Sequence, residues 1–240
     1  MPHHVEAVLR QTITLRGHTF LPWLIDRSST VLDLGAHRGE FSREVATRFG
    51  CRCIAVEANP TLAAEISAKG IETVWGAIAD TDGNAEFYLS DNPEASTLIE
   101  KGGEPKGKKI KVPTYTLPAI MRKSGVTHVD LMKVDIEGAE VQLLSSLEEA
   151  LNSVDQITVE FHDFCGLVST EQVKATSRRL VDLGFEQINL YAKYSDYLFV
   201  RRKAIGTLPR LYLKFAVPNA RRAANLFDRV ARRADRLARN

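Results

Sequence analysis

Cysteine is scarce in this 240-residue chain, occurring only at Cys51, Cys53 and Cys165. Three such residues cannot build a disulfide framework. Cys51-x-Cys53 also lacks the C-x₂-C spacing of a zinc site, and no second Cys or His pair lies near it in sequence. Reduced, buried thiols are the expectation, as in a cytoplasmic protein. Long apolar runs are missing too. No stretch approaches the roughly 18 residues needed for a membrane-spanning helix, and the opening MPHHVEAVLR lacks the apolar segment of a secretory leader. Internal repeats and low-complexity tracts are absent. What is present is 44% hydrophobic and 26% charged, the balance of a soluble globular chain of one large domain, or one domain with an appendage.

Acidic residues nearly vanish from the last forty positions. Residues 201–240 hold twelve Lys/Arg against Asp228 and Asp235, so an overall charge of +2 hides a tail of +10 on a body of −8. From Ala223 onward Phe227, Val230, Ala234 and Leu237 recur at helical spacing among arginines. A basic amphipathic segment over 205–240 suits an anionic membrane surface, the inner face of the membrane in a cytoplasmic protein. It could also pack on its own body or pair two copies in a homo-oligomer. Nucleic acid is disfavoured, because an acidic body makes a poor phosphate-tracking surface.

Residues 1–29 are expected to form an N-terminal helical segment. From residue 30 short β-branched runs alternate with helical periods: strands over 30–35, 53–58, 71–75, 129–135 and 156–162, with helices between them. Asn59 followed by Pro60 is a helix start, and Ser169 with Gln172 a capping box. Between 76 and 125 the rhythm breaks into a TDGN turn and further strands. The runs QINLYA (187–192) and YLFVRR (197–202) lie only a few residues apart and should pair antiparallel. The pattern predicts an α/β fold: a Rossmann-like, seven-stranded, mostly parallel sheet, helices on both faces, and an antiparallel closing strand pair.

In such sheets ligands bind beyond the carboxyl ends of the strands. The first strand exits into Gly35-Ala36-His37-Arg38-Gly39. A dinucleotide fold would place its second glycine where His37 stands, so close packing of a diphosphate is disfavoured. The next strand ends in Glu57, a carboxylate able to accept from both hydroxyls of a ribose. Together they point to an adenosine-containing cofactor. The fourth strand carries Lys133 and exits at Asp135. Asp33 sits two residues before Gly35, as Lys133 does before Asp135, and the two charges are expected to pair across neighbouring strands. Glu137 and Glu140 open the following helix, where carboxylates are favoured by its dipole.

The motifs VLDLGAHRGEFS (31–42), VEANP (56–60), AIADTDGNAEFY (77–88), VDLMKVDIEGAEVQLL (129–144) and SDYLFV (195–200) resemble those of the FkbM-type methyltransferases. The resemblance spans about 30–201, and K-x-D-x-E-G-x-E is its most specific element. Pro118 departs from it where the family carries an aspartate. The resemblance implies a class I methyltransferase domain over 30–204, S-adenosylmethionine as cofactor, and O-methylation of a sugar or other hydroxylated natural product. It places Gly35, Ala36, His37 and Gly39 along the methionine part of the cofactor and Glu57 at the ribose. Ala58, Asn59, Ala77 and Ile78 fall beside the adenine.

A sugar hydroxyl is a poor nucleophile at neutral pH, so a base within reach assists. Asp135 and His162 are the candidates, with Glu160 orienting His162. These three side chains could instead hold a divalent metal, though the leading expectation is no metal. The rival readings are an RNA methyltransferase using the basic tail and a non-catalytic, membrane-associated scaffold in glycan assembly.

Overall fold

The computed structural model describes residues 12–90, 107–146, 149–163, 166–188 and 196–205. The chain opens with a hairpin, β1 (Ile13–Leu15) and β2 (His18–Phe20), and a 3-10 turn at Pro22–Leu24. Over 12–29 this replaces the expected helical segment. Thr12, Ile13, Thr14 and Thr19 are β-branched and favour extended backbone. Arg16 and Gly17 both adopt positive φ, the geometry of a two-residue hairpin turn.

The main sheet contains β3 (Thr30–Leu34), β4 (Arg52–Glu57), β5 (Glu72–Trp75), β9 (Val129–Val134), β10 (Val154–Glu160), β11 (Phe185–Ile188) and β12 (Asp196–Arg201). Its order is β11-β12-β10-β9-β3-β4-β5. Neighbours from β10 across to β5 are parallel, and β12 runs antiparallel to both β10 and β11. This is the seven-stranded arrangement expected, with the closing pair at one edge. A separate three-stranded sheet, β6 (Ala77–Ile78), β7 (Gly83–Ser90) and β8 (Gly107–Tyr115), fills the interval where the alternation breaks.

Helices cover both faces. Leu117 and Ile120 of α3 (Leu117–Lys123), Leu143 and Leu144 of α4 (Glu140–Ser146) and Val173 and Leu180 of α5 (Thr170–Asp182) pack on one side. On the other lie Phe41 and Val45 of α1 (Glu40–Phe49), Ile66 of α2 (Pro60–Ala68), the N-terminal hairpin and Ile205 of α6 (Arg202–Ile205). Asn59 caps α2, and the Ser169–Gln172 capping box opens α5. Glu137 does not open the helix that follows β9, as it was expected to do with Glu140. Positive φ at Glu137 and Gly138 delays its start to Glu140, and Ala150–Ser153 forms a 3-10 turn. Cys165 and the basic tail beyond Ile205 lie outside the described residues. Among those described, no helix is long and apolar enough to cross a membrane.

Candidate active site

The chain runs outward through β3, β4 and β5, then returns to place β9 on the other side of β3. The crevice opens where the direction changes, at the carboxyl ends of β3 and β9. Here Gly35 has no substitute. Its φ is +77°, and a Cβ on it would stand 1.8 Å from the carbonyl oxygen of Asp135. The Gly35 and Ala36 amides both donate to Val56 O at 3.1 Å, which locks the turn onto β4.

A cleft beyond this turn encloses about 750 Å³, counting the part open to solvent. Of the residues assigned to the cofactor from sequence, Gly35, His37, Glu57, Ala58, Ala77 and Ile78 line it, together with Asp135. Ala36, Gly39 and Asn59 do not. Ala36 packs against Ala55 and Ile66, Gly39 is the left-handed N-cap of α1, and the Asn59 side chain accepts from the Thr61 and Leu62 amides. Their part is to shape the turns behind the wall. Phe87 and Gly76 also line the cleft and were not foreseen. They come from the three-stranded insertion and its approach; Phe87 falls within the 77–88 motif, but neither residue was assigned to the cofactor.

Glu57 is buried. One carboxylate oxygen accepts from the His37 amide at 2.7 Å, the other from the Asn59 amide at 2.8 Å. Burial pushes its pKa up to about 7, against the lowering effect of those two hydrogen bonds. His37 takes the left-handed conformation, uncommon outside glycine, and its Nε2 is buried with no hydrogen-bond partner among the described residues.

At the other end of the cleft charged groups converge. Lys133, buried between β3 and β10, lies 3.1 Å from Asp33 Oδ1 and 3.4 Å from Asp135 Oδ2, and donates to Gly35 O at 2.6 Å. The Asp33–Lys133 pair expected from sequence is thus present, in direct register across β3 and β9. Burial would raise the Asp135 carboxyl, but Lys133, His18 and His162 outweigh it and hold it well below the usual carboxylate range. His162 Nε2 faces Asp135 Oδ1 at 3.8 Å and Glu137 Oε2 at 3.7 Å. Glu137, at φ +53°, is a strained position on the cleft wall.

The carboxylate on His162 Nδ1 belongs to Glu140, at 2.8 Å, in the orienting place expected of Glu160. Glu140 is fully buried and also accepts from the Ile136 and Gly138 amides at 3.0 Å. It ties the 135–139 turn to the histidine, a larger part than that of a helix-dipole acid. Glu160 instead gathers with His18 and Asp135. The sharp turn at Glu137-Gly138 that aims Glu140 inward is signalled in sequence only by the glycine. Burial opposes a proton on His162, but Glu140, Glu137 and Asp135 push its pKa up to about 9.

The profile of the methyltransferase FkbM domain matches residues 33–186. The chain belongs to that family. Its members use S-adenosylmethionine, so this chain is a methyltransferase of that class. Comparison with curated proteins finds no relative. Among solved structures the chain is similar to the fibrillarin pre-rRNA processing protein of Methanococcus jannaschii, at 15% identity over 79% of this chain and 80% of that one, TM-score 0.44. It is also similar to Aeropyrum pernix fibrillarin in complex with S-adenosyl-L-methionine (14% identity, 81% and 72% covered, TM-score 0.45). A third is the TehB-like SAM-dependent methyltransferase of Corynebacterium glutamicum (11% identity, 84% and 89% covered, TM-score 0.42).

The residues present fit the family's cofactor. Glu57 can accept from ribose hydroxyls on its remaining lone pairs, and His37, whose Nε2 has no hydrogen-bond partner among the described residues, lines the same cleft. Ala77, Ile78 and Phe87 offer an apolar slot for a base. Asp135 and Glu137 put negative charge on the wall that a sulfonium and an ammonium would face.

Proposed function

We propose that the chain is an O-methyltransferase that methylates a hydroxyl of a sugar, glycoconjugate or related natural product. The observation that carries this reading is the imidazole of His162, held by Glu140 on one nitrogen and turned toward Asp135 and Glu137 with the other. Asp135 and Glu137 border the cleft, so a hydroxyl entering beside the cofactor comes within reach of that imidazole. The resemblance to enzymes that methylate hydroxylated natural products supports a carbohydrate acceptor.

S-adenosylmethionine supplies a methyl group already activated on a sulfonium, so alignment and proton removal are left to the protein. Gly35, His37 and Glu57 hold the donor, and the ionised Asp135 orients the acceptor O–H. His162 Nε2 would take the hydroxyl proton as the acceptor oxygen is methylated. With a pKa near 9, only about 1% of His162 is neutral at pH 7 in the empty cleft. The imidazolium loses stability when a sulfonium cation is brought beside it, so His162 yields its proton more readily in the loaded cleft.

The test is incubation of the protein with methyl-labelled S-adenosylmethionine and cell extract, followed by separation of glycan, lipid, RNA and protein fractions. Label in the saccharide fraction is expected. Label confined to RNA would replace this reading with the nucleic-acid one. No label anywhere, with the cofactor bound, would favour a scaffold without turnover.

A further inference from the structure

Next to the acceptor end of the cleft lies a cluster in which two side chains, His18 and Glu160, have no part in methyl transfer as described and join Asp135, which does. The hairpin β1–β2 precedes the segment matched to the family. It is fastened to the sheet by the Thr19 amide on Asp196 Oδ1 (3.4 Å) and the Leu21 amide on Gln156 Oε1 (2.8 Å). This carries His18 beneath Asp135, its ring edge-on to Phe41 at 5.7 Å between centroids.

His18 is only 2% exposed. Its Nδ1 has no hydrogen-bond partner among the described residues, and its Nε2 lies 3.6 Å from Asp135 Oδ2, beyond hydrogen-bond range. The long contact between Nε2 and the Asp135 carboxylate leaves room for an ion that both would share. Glu160, at the end of β10, supplies the third donor. One ligating atom each from His18, Asp135 and Glu160 lie within 4.8 Å of one another. Donors sharing an ion at bond lengths of about 2.1 Å stand about 3.0 to 3.5 Å apart, so small side-chain adjustments close the set. The surroundings favour a dication. Three carboxylates, Asp33, Asp135 and Glu160, stand against the one lysine, Lys133, which lies 3.1 Å from Asp33 and 3.4 Å from Asp135.

We propose that His18, Asp135 and Glu160 bind one divalent first-row cation beside the acceptor end of the cleft. One imidazole and two carboxylates suit Mn²⁺, Fe²⁺ or Zn²⁺. The binding stands on the geometry alone. Only its chemical use, polarising an acceptor hydroxyl so that its proton leaves more easily, rests on the methyl-transfer reading.

The test uses the full chain, stripped of metal by chelation and titrated with Mn²⁺ alone, with the free ion followed by electron paramagnetic resonance. Wild type should bind one Mn²⁺ per chain, with affinity lowered at least tenfold in His18→Gln and in Glu160→Gln. His128→Gln should bind as wild type; it reports on the exposed His128, Asp130 and Asp155 group at the amino ends of β9 and β10. Absence of binding in wild type overturns the proposal. So does wild-type binding by both His18→Gln and Glu160→Gln, or a loss confined to His128→Gln or His162→Gln. Melting curves establish that each variant is folded, and Glu160→Gln decides the matter if His18→Gln is not. Calorimetric titration with S-adenosylmethionine runs in parallel. If wild type fails to bind the cofactor, the methyl-transfer reading falls whatever the Mn²⁺ result.

Discussion

Glu57 receives two backbone amides and still has lone pairs directed to the cleft, yet burial brings its pKa to about 7. In the empty site it is therefore about half protonated at neutral pH. Ribose hydroxyls donate more strongly to the ionised form than to the protonated one, so cofactor binding releases a proton. The sign follows: affinity for S-adenosylmethionine should rise as pH increases from 6 to 8 and level off above the empty-site pKa. Calorimetry in buffers of different ionisation enthalpy should record proton release near pH 7. Glu57→Gln should bind about 10- to 100-fold more weakly and lose this pH dependence. A variant that keeps the wild-type slope would place the titrating group elsewhere.

Between elements, the Asp33–Lys133 pair joins β3 to β9 directly behind the cleft, and Ser42 of α1 donates to Asp33 Oδ2 at 2.7 Å. Lys133→Met would leave a fully buried carboxylate without its cation. A loss of about 3 kcal/mol or more in unfolding free energy is expected, read from the midpoint of chemical denaturation. A change under about 1 kcal/mol would mean the pair contributes little to the fold. This pair was legible in the sequence because alternation of strand and helix sets β3 beside β9, and each charge stands two residues before its strand's exit. Glu57 was legible for the same reason, as the last residue of a strand. The inward turn of Glu140 was not, since it depends on positive φ at two successive positions. The hairpin was missed as well. Its strands are three residues each, too short for a period to speak, and His18 meets Asp135 only through tertiary packing.

For the molecule as a whole, the acidic body and the basic final residues pose separate questions. Removing 206–240 keeps every described cleft residue and the core residue Ile205, so cofactor affinity should not change. Sedimentation with anionic liposomes should fall if the arginine-rich segment meets a membrane surface. Unchanged sedimentation would exclude that role.

The central claim is that His162, oriented by Glu140 and facing Asp135, removes the acceptor's proton at a cleft that binds the donor independently of it. The most direct measurement pairs calorimetric binding of S-adenosylmethionine with transfer of labelled methyl to the saccharide fraction, for wild type and His162→Gln. The account predicts cofactor affinity within about threefold of wild type and transfer reduced by about 100-fold or more. Transfer at the wild-type rate in a folded His162→Gln protein would contradict it.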